Sequence, residues 1–157
     1  MDDAVAGALC PFDPADREAV LAHVLEILEG EGRIEAVIIT GSLATGAADR
    51  WSDIDVVGIV ADVEVAGLLA DEWARRPYRL PRVAHHYRTA FGTTTVIGFL
   101  LDDGLEVDLA LTPATDFTVW APVRVAFDRT GRATRAAADI VPWTPEPDPA
   151  DEAGFAW

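Results

Sequence analysis

Two apolar runs, the first closed by Gly-Ser and the second opened by Asp-x-Asp, constrain this chain more than any other feature. Residues 34–60 read I-E-A-V-I-I-T-G-S-L-A-T-G-A-A-D-R-W-S-D-I-D-V-V-G-I-V. The run 34–40 has the pattern of a strand that stops at Gly41-Ser42. A short polar connection then leads to a second strand beginning Asp53-Ile54-Asp55. The two-residue period of a strand puts Asp53 and Asp55 on one face, with Ile54 and Val56 on the other. Adjacent carboxylates repel each other, and a fold gains from that arrangement when a hard, oxygen-ligated divalent cation such as Mg²⁺ joins them.

Ser42 stands where the first strand passes into a helical segment over 43–47, which leaves backbone N–H groups free to meet an anion. Gly41 lets that backbone come close, because it has no Cβ. An anion cradle followed by paired carboxylates suits a Mg²⁺-nucleoside triphosphate. Further on, Thr94 to Leu101 reads as a strand, Asp102-Asp103-Gly104 as a hairpin turn, and 105–111 as the antiparallel return. Glu106 and Asp108 share one face of that return, opposite Val107 and Leu109.

Together these residues resemble the nucleotidyltransferases related to DNA polymerase β. The matching motifs are G-S-L-A-T-G, then S-D-I-D-V-V, and on a later strand an acid between apolar residues, Leu105-Glu106-Val107-Asp108-Leu109. The likeness extends roughly over 34–108 and is nearest to small bacterial and antibiotic-modifying members. It implies that Asp53, Asp55 and Asp108 hold two Mg²⁺ ions and are catalytic, with Glu106 second to Asp108. It implies that Gly41 and Ser42 bind the nucleotide, and that AMP passes from ATP to a hydroxyl of a small-molecule or protein acceptor, an aminoglycoside among the candidates. An alternative within the resemblance is an antitoxin-like minimal member that modifies or binds a partner toxin. Many small members carry an arginine where this chain has Thr45, and Arg50 is the nearby replacement. The chain has no lysine, so Arg88, Arg124 and Arg129 are left to grip a triphosphate.

The rest of the chain frames these motifs. With 157 residues there is room for one domain, expected over 1–141. The Pro-rich 142–157 reads as a tail or as the start of a missing helical segment. Helices are expected over 13–30, with Asp13 as cap, and over 62–76, stopped by Pro77. The first carries an apolar stripe of Val20, Val24, Ile27 and Leu28; the second, one of Val65, Leu68, Leu69 and Trp73. Extended runs at 82–88 and 123–127 and a short helix at 132–139 complete the pattern. Adjacent His85 and His86 point to opposite faces of their strand and make a poor chelating pair. The expected fold is α/β (α+β): a mixed, twisted sheet of about five strands with helices mainly on one side.

Charge excludes one class of function. The 27 acids against 12 bases leave a net charge of −15, which repels polyanions and argues against general nucleic-acid binding. The excess acid reads first as a solubility feature, though it would also attract a cationic acceptor. A lone cysteine, Cys10, offers no internal disulfide, and no apolar run has the length of a membrane span; a cytoplasmic location is expected. A partner protein or a dimer is left open.

Overall fold

The computed structural model describes residues 14–75 and 79–140. Cys10, the Asp13 cap, the Pro77 stop and the 142–157 segment lie outside the described residues. In chain order the elements are α1 (Pro14–Gly30), β1 (Ile34–Ile39), α2 (Gly41–Thr45), β2 (Ile54–Val60), α3 (Val63–Arg75), β3 (Val83–Phe91), β4 (Thr94–Leu101), β5 (Glu106–Pro113), β6 (Arg124–Asp128) and α4 (Arg132–Ala138). Each run read as extended in the sequence is a strand of one sheet, six-stranded and ordered β3-β4-β5-β2-β1-β6. All neighbouring strands are antiparallel except the central pair, β2 and β5, which run parallel. The sheet is therefore mixed, and the fold is α+β.

The two faces of the sheet have different fates. One packs against α1 and α3: Ile54, Val56, Val107, Leu109, Ile97 and Phe99 meet Val24, Leu28, Leu69 and Trp73 in the main core. Trp73 and Phe99 lie with ring centroids 5.9 Å apart, and truncating either buried ring to alanine typically costs about 3–5 kcal/mol in lost burial and cavity formation. On α3 the buried stripe is Ala66, Leu69, Ala70 and Trp73, whereas Leu68 is exposed. Small alanines let the helix sit close to the sheet and shift the stripe off Leu68. Asp62 is the cap of this helix, its carboxylate accepting from the Val65 N–H at 2.9 Å.

The opposite face is covered only toward β1 and β6, where α4 and the β5–β6 connection close a smaller core of Ala36, Ile38, Ile59, Ala114 and Ala133. Across β2, β5, β4 and β3 that face carries Asp55, Asp108, Glu106, Gly98 and Tyr87, by the alternation of side chains along each strand. A sheet with one covered and one open face presents a row of side chains on rigid backbone, the arrangement that best fixes a site.

Candidate active site

The centre of the open face is a line of residues in register. Asp55 on β2 is the Cα partner of Asp108 on β5, Asp108 of Gly98 on β4, and Gly98 of Tyr87 on β3. Four strands thus deliver four residues to one row perpendicular to the chain direction. Strand neighbours lie about 4.8 Å apart, so Asp55 and Asp108 stand side by side although a whole crossover separates them in sequence. Asp53 lies one residue before β2 begins, whereas the sequence pattern has it open the strand. It is nonetheless part of the group, since its carboxylate accepts from the Glu106 backbone and feels the charges of Glu106 and Asp108.

Electrostatics mark the cluster. Asp55 is pushed above the usual carboxylate range by burial, then by the charges of Asp108, Asp53 and Glu106. Asp108 is raised by burial and by Glu106, with the Tyr87 hydrogen bond acting in the opposite sense. Asp53 is raised by desolvation and by Glu106 and Asp108. No arginine neutralises the group by an ion pair: among the described residues every salt bridge lies elsewhere.

At the end of β1 the chain turns sharply at Gly41, whose φ is +66°. A Cβ there would stand 2.7 Å from Asp55 Oδ2, so glycine is required both by conformation and by room. Gly41 and Ser42 open α2, and the αL cap at Gly46 ends it. The helical segment thus begins two residues earlier than the sequence pattern places it. Thr45 donates its hydroxyl to the Ser42 carbonyl, bonding within the turn.

The connection into β2 is held from behind. Arg17, buried on α1, donates through Nη1 to the Asp49 carbonyl at 2.5 Å and the Ser52 carbonyl at 3.0 Å. Ser52 Oγ faces Asp49, accepting from its N–H and donating to its carboxylate, so it braces the loop and leaves the Asp53 side chain to others. Nothing in the local pattern of α1, where Arg17 sits between Asp16 and Glu18, announces this role. Tyr87 is likewise silent in its own strand, although a lone glycine inside T-T-V-I-G-F-L-L is a signal of close approach.

A cavity of about 330 Å³ adjoins the carboxylates. It is lined by Thr40, Gly41, Val57, Ala110 and Thr112 of this face and by aromatic residues of the β5–β6 connection, Phe117 and Trp120. Val57 and Ala110 follow Asp55 and Asp108 by two residues and so share their side of the sheet.

A family model described as a nucleotidyltransferase domain matches residues 21–131. The chain belongs to that family. The match spans β1 through β6, so the Gly41-Ser42 turn and all four carboxylates fall inside the nucleotidyltransferase domain. No curated protein matches the chain significantly. Among solved structures, an aminoglycoside 6-adenyltransferase from Bacillus subtilis is similar, with 19% identity and a TM-score of 0.45. The similarity covers 60% of this chain and 34% of that one, so the chain matches about a third of that protein's length.

Three arginines offered for the triphosphate now separate. Arg88 points to the helix-covered side and pairs with Asp71 of α3. Arg129 is spent on the carbonyls of Glu29, Glu31 and Ile34 and lies over the Phe127 ring. Arg124 is exposed, but its register partner is Ile39 of the main core, so it too lies on the helix-covered side of the sheet. Arg50 lies over the Trp51 ring in the β1–β2 connection. The histidines behave as expected: His86 packs near Phe99 on the core side, with centroids 6.4 Å apart, and His85 is exposed. No helix of the described residues is long and apolar enough to cross a membrane.

For a divalent ion, the chemistry of the donors fits: four carboxylates, all hard oxygen ligands, crowd one another without an ion-pair partner. Among the described residues no three acid, histidine or cysteine side chains converge as a finished metal cage. Asp108 and Glu106 instead both accept from Tyr87 Oη, each at 3.0 Å.

Proposed function

We propose that this domain transfers a nucleoside monophosphate, AMP from ATP, to a hydroxyl acceptor in a Mg²⁺-dependent reaction. The observation that carries the reading is the register pairing of Asp55 with Asp108 on adjacent parallel strands, beside the Gly41-Ser42 turn and within a nucleotidyltransferase domain. Asp53, Asp55 and Asp108 hold the metal. Bound Mg²⁺ supplies the positive charge that neutralises the triphosphate oxygens and eases departure of pyrophosphate.

The chain's own groups do the rest. Gly41 and Ser42 bring backbone to the phosphates. Asp108 takes the proton of the acceptor hydroxyl as its oxygen attacks the α-phosphorus and pyrophosphate leaves. The adjoining cavity, within the size range of small-molecule sites and lined by Phe117 and Trp120, seats an organic part of a substrate. Aminoglycoside acceptors are the first to test, since a chain of net charge −15 favours a cation.

The test is calorimetric titration of ATP, with and without Mg²⁺, into the wild type, Asp53→Asn and Asp55→Asn. Binding that needs both metal and carboxylates supports the reading and leads to acceptor screening. ATP binding indifferent to Mg²⁺ and to both substitutions would sink it.

A further inference from the structure

The hydroxyl of Tyr87 is a neutral group inserted into the carboxylate cluster, and the sheet is shaped to let it through. Tyr87 belongs to β3, an edge strand, and its register partner is Gly98 on β4. To reach β5 the ring must lie across β4. A Cβ on Gly98 would overlap Tyr87 Cζ and Cε1 outright, so no other residue leaves the passage open. Gly98 does not have a positive φ, and backbone conformation therefore gives no reason for a glycine there. Room for the ring is the reason. Glycine inside a strand typically costs about 0.5–1 kcal/mol relative to alanine, which makes the opening a feature with a function to explain it.

What lies at the far end is that function. Tyr87 Oη is 3.0 Å from Asp108 Oδ1 and 3.0 Å from Glu106 Oε1, two acids of the same face. A phenol has a single proton to give, so the two carboxylates share it as one bifurcated hydrogen bond. It engages one oxygen of each and leaves the second oxygen of Asp108 to other partners. A hydrogen bond to a ligating group from behind fixes its orientation, and loss of such a partner typically costs about 10–100-fold in metal affinity or activity.

We infer that Tyr87 is a positioning residue of the transfer site, its hydroxyl setting the Asp108 carboxylate through the opening that Gly98 leaves in the sheet. The inference rests on the proposed role of Asp108 as a metal ligand. A ring that merely fills the gap above a strand glycine would be replaced equally well by phenylalanine, and that difference separates the two roles.

Mn²⁺ is titrated calorimetrically into wild type, Tyr87→Phe, Gly98→Ala, the double variant and Asp55→Asn, each with its metal-free melting curve. Wild type binds Mn²⁺ and Asp55→Asn loses it. Tyr87→Phe, which keeps the ring over Gly98, melts near wild type and binds roughly tenfold more weakly. Gly98→Ala displaces the ring and shows the same loss, and the double variant is no weaker than either single change, because both break one contact. Equal Mn²⁺ affinity in wild type and Tyr87→Phe, with Asp55→Asn defective, overturns the positioning role and leaves the metal site standing. Mn²⁺ affinity that Asp55→Asn does not disturb overturns the carboxylate reading and the inference with it.

Discussion

Gly41 and Asp55 touch across the turn after β1 so closely that a single added carbon would drive them apart. A Cβ placed on Gly41 falls 2.7 Å from Asp55 Oδ2, and the backbone there has φ +66°. Gly41→Ala therefore meets two penalties: about 1 kcal/mol or more for a side chain in the left-handed region, and displacement of the Asp55 carboxylate. The expected result is a modest fall in melting temperature with a disproportionate loss of Mg²⁺-dependent ATP binding. Parallel melting and calorimetry check it, and a variant that binds as wild type would show the contact to be incidental.

Asp55 also gives the pH dependence its sign. Burial, then Asp108, Asp53 and Glu106, raise its pKa in the folded protein. The folded state thus holds this proton more tightly than the unfolded chain. That contribution to stability is complete below the unfolded value of about 3.9 and is lost as pH rises through the folded pKa. Metal-free Asp55→Asn should melt about 2–4 °C above wild type near neutral pH, the effect of about 1 kcal/mol in a domain of this size. The gap should close on acidification. Melting curves in a chelator across pH test this, and a gap that stays constant from neutral to acid pH would refute it.

Asp128 works with the opposite sign. Its burial would raise the pKa, but hydrogen bonds from Thr134, Thr130 and Gly131 outweigh that and hold it below the usual range. The carboxylate accepts from the Thr134 N–H at 2.9 Å and the Gly131 N–H at 2.8 Å, tying β6 to the start of α4. This stability is present above the unfolded pKa and disappears as pH falls through the folded one. Asp128→Ala should cost about 1–2 kcal/mol at neutral pH, seen as a lower denaturant midpoint with unchanged slope.

Arg17 makes a prediction about a loop rather than an element. Arg17→Met keeps most of the buried stem and removes the donor to the Asp49 and Ser52 carbonyls, at a cost of about 1–3 kcal/mol. Amide exchange should quicken around Ser52 and Asp53 and stay slow in β4 and β5. Unchanged exchange in the loop would reduce Arg17 to a packing residue.

The contrast between Asp108 and Tyr87 shows what is legible in the sequence. Asp108 is within reach because apolar-acid-apolar alternation is local, and the hairpin at Asp102-Asp103-Gly104 sets its strand; β5 runs from Glu106 to Pro113, two residues past the 105–111 that the pattern implies. The six strands follow from similarly local runs. Tyr87 enters the site only through the registers of β3 with β4 and β4 with β5, which no local pattern encodes. The arginines mislead for the same reason: Arg88 and Arg129 look free in the sequence, and partners distant along the chain, Asp71 and the carbonyls around Ile34, claim them. Leu68 fits a helical stripe by spacing, yet close packing of Ala66 and Ala70 turns it outward.

The parallel seam between β2 and β5 bears on the order of folding. β3 with β4 and β4 with β5 close short loops and β1 joins β2 through α2, whereas the seam joins the two ends of a longer crossover. Such closures carry the larger entropic cost and come late. Asp55 and Asp108 therefore meet only when the two sequence-local units dock, and their repulsion opposes that docking. A divalent cation that these carboxylates can hold should speed docking while leaving the pairing of β3, β4 and β5 alone. Stopped-flow refolding with and without Mg²⁺ would read this directly, through a slow phase that shortens only with the metal.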